Sequence, residues 1–109
     1  MSVDWGAVGT GVKTAVAKLV GAAWQNAAAG ASTQFAAVIA AGQSIERNKD
    51  TMSQSDYNTL KIMQQRALDG VLQTYAGISL DIAQQAAAAA WNVVATALKT
   101  AYPALGFVL

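Results

Sequence analysis

The chain has 109 residues, of which 54% are hydrophobic and only 12% are charged, and its net charge is +1. This balance gives no basic footprint for nucleic acid. Histidine and cysteine are both absent, which removes the commonest general base, the thiol nucleophile and the commonest metal ligands. We therefore expect a protein that is not an enzyme, with no cofactor, metal, nucleic-acid partner or small-molecule substrate.

A first helix is predicted over about residues 10–47. Glycines 6, 9 and 11 precede or open it, and a glycine weakens a helix by up to about 1 kcal/mol relative to alanine. We expect a loose entry into this helix, with Asp4 or Thr10 as the N-cap. From Val12 onward apolar residues recur at close to the 3.6-residue spacing of a straight helix.

A second helix is predicted over about residues 53–102, after a turn over about 48–52. Ser53 can cap this helix, and Asp56 three residues later completes a pair of the capping-box type. Pro103 ends it, because proline cannot donate the next backbone hydrogen bond. The apolar tail 103–109 follows.

These elements predict an all-α fold, a long antiparallel helical hairpin in a single domain over residues 1–109. Two Gly–x–Ser pairs favour an alternative, because a glycine can end a helix and a serine can start the next one. The pairs are Gly30 with Ser32 and Gly77 with Ser79. Breaks near Gly30 and Gly77 would give a compact four-helix bundle.

Charged residues concentrate around the predicted turn. Eight of the thirteen lie within residues 43–69, with mixed signs and irregular spacings that do not define a site. We interpret this region as the solvent-facing tip of the hairpin. Its predicted tip residues are Glu46, Arg47, Lys49, Asp50 and Asp56.

The arms carry more apolar residues than one stripe per helix requires. Residues 82–98 are apolar nearly all round, which is typical of a helix buried on more than one side. Small residues at four-residue spacing would also let helices approach closely. One hairpin offers too few partners, so we predict oligomerisation. The predicted packing or oligomer-interface residues are Leu19, Ala23, Ala27, Phe35, Val38, Val71, Ile78, Ile82, Ala89, Trp91 and Val93.

The leading hypothesis for function is a self-assembling structural protein, a small helical subunit of a ring, tube or filament. The Ala-, Gln- and Gly-rich, charge-poor texture resembles internal or ejected phage virion proteins, and a secretion apparatus part is a comparable setting. Residues 19–45 and 82–98 carry no charge, so one alternative is a membrane-active hairpin, holin-like or pore-forming. A second alternative is a small protein-binding adaptor bundle.

The start of the chain lacks the basic and apolar regions of a signal peptide. We therefore expect synthesis in the cytoplasm, followed by incorporation in a virion or secretion assembly. The expected partners are copies of the chain or a larger protein assembly, with a membrane as the further candidate.

Overall fold

The computed structural model describes residues 2–109, and the described chain is entirely helix, turn and loop, with no strand. The all-α class predicted from the sequence is confirmed. The molecule measures 41 × 25 × 18 Å along its principal axes. Its helices are α1 (Trp5–Val20), α2 (Trp24–Gly30), α3 (Ser32–Asn48), α4 (Gln54–Leu72) and α5 (Leu80–Ala101), with a 3₁₀ turn at Gly21–Ala23 between α1 and α2.

Side-chain caps fix three of the helix starts. The Asp4 carboxylate accepts a hydrogen bond from the Ala7 amide at 3.1 Å, so α1 begins at Trp5 rather than near residue 10. Ser53 and Asp56 form the predicted capping box at the start of α4. The Ser79 hydroxyl accepts from the amide of Ile82 at 3.2 Å and caps α5.

The two arms are interrupted where glycine permits it. Gly21 has φ of 60° and Gly77 has φ of 87°, and this left-handed region is favourable only for glycine. Ala31 separates α2 from α3, although the Ser32 hydroxyl donates to the Ala29 carbonyl instead of capping α3. With breaks near Gly30 and Gly77, the chain has the four-helix arrangement that the sequence left open beside the hairpin.

Four helices close into a bundle in which neighbours run antiparallel. α1 packs along α5, α5 along α4, α4 along α3, and α3 along α1. A side-chain bond between Gln34 and Gln64 crosses from α3 to α4. A glycine allows one close approach: a Cβ on Gly42 would lie 2.5 Å from the Trp5 ring and 2.8 Å from a Val94 methyl. The bundle thus brings the start of α1 against the end of α3.

The bundle buries most of the large apolar side chains of the arms inside one chain. Its accessible surface is 5865 Å², and a compact monomer of 11.2 kDa is expected to expose about 5,700 Å². Ten of the eleven residues predicted to pack lie within or against this core, and Ala89 is half-buried without belonging to it. Ala27, Phe35, Val38, Ile78 and Trp91 are buried, and Leu19, Ala23, Val71, Ile82, Val93 and Ala89 are half-buried.

Candidate functional site

Five parts of the chain meet at the end of the bundle that holds the 49–53 turn, which we call the turn end. They are the start of α1, the end of α3, the start of α4, the end of α5 and the tail 103–109. The predicted tip residues lie here. Arg47, Asp50 and Asp56 are exposed, whereas Glu46 and Lys49 are half-buried.

The carboxylate of Glu46 joins three of these parts. Its Oε2 accepts from the backbone N–H of Val3 at 2.9 Å and from the hydroxyl of Tyr102 at 2.6 Å. Its Oε1 accepts from the indole N–H of Trp5 at 2.9 Å. Lys49 completes the cluster, because its Nζ lies 4.7 Å from the centroid of the Tyr102 ring, within range of a cation–π contact.

This cluster favours a charged glutamate and a neutral tyrosine. Partial burial raises the pKa of Glu46, but the hydrogen bonds from Tyr102, Trp5 and Val3 and the charge of Lys49 outweigh it, so this pKa lies below the ordinary 4.5. The hydrogen bond to Glu46 raises the pKa of Tyr102 above 10, with desolvation and the Glu46 charge adding to the shift. Neither group titrates near neutral pH. At that pH the hydrogen bonds of Glu46 connect α3 to the start of α1 and the end of α5, and we call this cluster the clasp.

A layer of aromatic side chains lies beside the clasp. The indole N–H of Trp91 donates to the hydroxyl of Tyr57 at 2.8 Å, with both residues buried. Burial raises the pKa of Tyr57, and the hydrogen bond from Trp91 opposes that shift. On another side the Tyr57 ring stacks on Phe107, with centroids 5.1 Å apart. The layer therefore connects α4, α5 and the tail.

The start of α4 also holds the tail by its backbone. The side-chain amide of Gln54 donates to the Val108 carbonyl at 2.9 Å, and its carbonyl accepts from the Val108 N–H at 2.6 Å. Phe107 is 6% exposed. We call the surface formed by Gln54 and Tyr57, with the neighbouring part of α5, the tail site. The tail site can bind an apolar side chain together with the backbone N–H and carbonyl of the residue that follows it.

Sequence reasoning did not find this pairing of tail and tail site. Trp91 is predicted to pack, but nothing in the 34-residue separation between Tyr57 and Trp91 indicates that they share a hydrogen bond. The usable signal for the tail was the large aromatic Phe107 in an apolar segment placed just after the helix-ending Pro103. The charge pattern predicts a solvent-facing tip for Glu46, and local spacing gives no sign of its three partners because they lie 41 to 56 positions away.

Residues 2–109 hold no group of three or more His, Cys, Asp or Glu side chains arranged for a metal ion. In the same range, no helix combines the length and the hydropathy needed to cross a membrane. Comparisons with protein families, curated proteins and solved structures found no match for this chain.

Proposed function

We propose that the chain is a non-enzymatic structural protein that assembles with copies of itself, each bundle forming one small subunit of a ring, tube or filament. The observation that carries this proposal is the neutral outer surface of two helices. From its start to Ala40, α3 exposes only Ser32, Thr33, Ala36 and Ala40, and its exposed charge, Arg47, lies near the end of the helix. α5 likewise exposes only Gln84, Gln85, Asn92 and Thr96 between Asp81 and Lys99.

Because the core closes within one chain, the low content of charged residues is a property of the outer surface of the molecule. Typical soluble domains have about 25% charged residues over the whole chain, whereas this chain has 12%. Most of the large apolar side chains are covered internally, and the outer faces of α3 up to Ala40 and of α5 between Asp81 and Lys99 are uncharged. Neutral faces associate without the cost of desolvating ions, and charged residues are depleted at interface centres.

Exposed apolar side chains add to this surface. Ile62 and Met63 on α4 are 45% and 59% exposed, and Leu80 at the start of α5 is 55% exposed. Scattered apolar residues are ordinary on a monomer, so these side chains support the proposal only together with the neutral faces. Methionine is nevertheless enriched at interfaces, and Ile62 and Met63 form an adjacent pair of exposed apolar side chains on α4.

The biological setting we propose is a repeated part of a larger particle, such as a virion, an ejection component or a secretion apparatus. In such settings a small subunit is covered by its neighbours and needs few charges of its own. The non-enzymatic part of the proposal is supported by the absence of histidine and cysteine and by the engagement of Glu46 in a clasp.

Light scattering coupled to size exclusion tests this proposal with charges placed on the α3 face. Ala36→Glu and Ala40→Glu put carboxylates on exposed positions of that face and should shift assembled material towards the 11.2 kDa protomer. Thr14→Glu is the matched control, because it lies exposed on the α1 face that already carries Lys13 and Lys18.

Two outcomes of that measurement would contradict the proposal. One is a wild-type chain that stays at the protomer mass at every concentration, which is the behaviour expected of a monomeric adaptor. The other is a protomer that changes only when liposomes are added, which is the behaviour expected of a membrane-active protein. Assembly in the absence of lipid that is weakened by the α3 charges, and not by Thr14→Glu, is the expected result.

A further inference from the structure

The tail is held by two anchors that belong to different parts of the tail site. The ring of Phe107 stacks on Tyr57 at 5.1 Å between centroids, and the backbone of Val108 makes two hydrogen bonds with Gln54. The first anchor recognises an aromatic side chain and the second recognises a free amide N–H and carbonyl. Together they define a binding site for the sequence Phe107–Val108.

Neither anchor depends on which chain supplies the tail. Only the connection 103–106 joins Tyr102 of α5 to Phe107, and Pro103 prevents the helix from continuing into it. Pro103, Ala104 and Gly106 are exposed, and Leu105 is the one residue of the connection that packs against the core. The tail of a second copy could make both anchors with the same atoms, which is the condition for exchange of an identical element between protomers.

The tail also leaves open space on both sides when it docks on its own bundle. A cleft of roughly 380 Å³ lies between the tail and α5, lined by Asn92, Thr96 and Lys99 together with tail residues. A second cleft separates the tail from Lys49 and Asp50 of the turn region. The apolar side chain of Val108 is 80% exposed. The tail therefore lies across its site with the apolar side chain of Val108 exposed to solvent and free to contact a neighbour.

We propose that, in the assembly, the tail of one copy docks in the tail site of a neighbouring copy; this inference rests on the self-association proposed above and names the segment that links the subunits. A short connection gives the tail an effective concentration on the order of millimolar for its own site. In a dense assembly the tail sites of neighbouring copies are present at a comparable local concentration. Docking of a tail on a neighbour then competes with docking on its own chain. Phe107 lies five residues beyond Tyr102, and five residues span at most about 18 Å, so the turn ends of linked copies must lie close together.

Complementation between two full-length variants tests the exchange. Phe107→Ala keeps the tail site and loses the aromatic anchor, whereas Gln54→Ala keeps the tail and loses the backbone anchor. We would label the Phe107→Ala chain with ¹⁵N and titrate it with unlabelled Gln54→Ala chain up to about millimolar concentration. The Trp91 indole signal reports on the site, because its N–H bonds to Tyr57, on which Phe107 stacks.

The expected result is movement of the Trp91 signal towards its wild-type position as Phe107 of the added chain packs on Tyr57 of the labelled chain. Unlabelled chain carrying both Gln54→Ala and Phe107→Ala should leave the signal unmoved. Val108→Pro removes the N–H that bonds to Gln54 and gives a second labelled acceptor, which retains the Phe107 side chain. When the Gln54→Ala chain is added, the Trp91 signal of this acceptor should shift less than that of Phe107→Ala. Gln85→Ala is the matched control for the Gln54→Ala substitution, because it also replaces an exposed glutamine, here on α5. The ¹⁵N-labelled Gln85→Ala chain should have the Trp91 signal of the wild type.

Absence of any Trp91 shift with the Gln54→Ala donor overturns the exchange. If the wild-type chain still assembles by light scattering in that case, the proposed function stands and only the link through the tail is lost. If the Trp91 signal shifts but wild-type chain remains at the protomer mass, the contact between tail and neighbour stands and the proposed function fails.

Discussion

The hydroxyl of Tyr102 donates a 2.6 Å hydrogen bond to the carboxylate of Glu46, and this bond joins the end of α5 to the end of α3 across 56 positions of sequence. The same carboxylate also accepts from Val3 and Trp5. The start of α1 and the end of α5 are therefore both tied to one side chain of α3. A charged residue from the predicted tip thus contributes to the tertiary structure of the turn end.

The clasp predicts a loss of stability in acid. The folded-state pKa of Glu46 lies below its ordinary 4.5, so the unfolded chain takes up a proton more readily as the pH falls. The stabilisation by Glu46 is therefore fully present above about pH 4.5 and is lost as the pH falls through the lower folded value. Urea unfolding measured at several pH values checks this.

Glu46→Gln is the variant that isolates this effect. At neutral pH it should unfold at lower urea concentration than wild type, because an amide nitrogen cannot accept the bonds that the carboxylate accepts. The difference should narrow as the pH falls through the folded pKa of Glu46. Asp50→Gln, at an exposed position of the same turn, serves as the control; a constant gap between wild type and Glu46→Gln down to pH 2 would show that the clasp does not depend on the carboxylate charge.

A second prediction concerns the close approach of α1 and α3. Gly42→Ala would place a methyl group 2.5 Å from the ring of Trp5 and 2.8 Å from a methyl of Val94. Overpacking of this kind typically costs about 1–3 kcal/mol, and we expect a loss of that size in the free energy of unfolding.

Gly70→Ala is the matched substitution on α4. An added Cβ there meets no atom within 4 Å, and alanine is the better helix former by roughly 0.5–1 kcal/mol. Chemical denaturation should therefore show the two alanine variants moving in opposite directions. Equal effects at Gly42 and Gly70 would mean that the contact with Trp5 does not limit this position.

A third prediction tests the aromatic layer. Tyr57→Phe removes the acceptor for the Trp91 indole N–H, and Trp91 is only 1% exposed. A buried donor left without an acceptor costs about 1–3 kcal/mol, which should appear as a lower midpoint in urea. Tyr75→Phe provides the comparison, since Tyr75 is half-buried near Gly30 and its loss of a hydroxyl should change the midpoint less.

Local signals in the sequence accounted for much of the fold. The Ser53–Asp56 pair predicted the start of α4, and Pro103 marked the end of α5 just after Ala101. Both signals act within one turn of helix, which is why sequence spacing was sufficient. The break near Gly77 was also visible, because a glycine followed by a serine has the chemistry of a helix end and a new start.

Structural features that depend on contacts between residues distant in sequence could not be predicted from such local signals. Gly21 lies inside an apolar helical pattern, and only its φ of 60° in the folded chain shows that α1 ends there. Ala27 is a predicted packing or oligomer-interface residue, but its burial at 0% exposure inside one bundle depends on how the arms fold back on themselves. A seven-residue tail has no periodicity from which its docking on Tyr57 could be predicted.

Sedimentation equilibrium of the wild-type chain in detergent-free buffer tests self-association most directly. Over a range from about 10 µM to 1 mM, the proposal predicts a weight-average mass that rises with concentration above the 11.2 kDa of one chain. Equilibration should be reversible on dilution, and Ala36→Glu should move the rise to higher concentration. A mass that stays at 11.2 kDa throughout this range would contradict the proposed function.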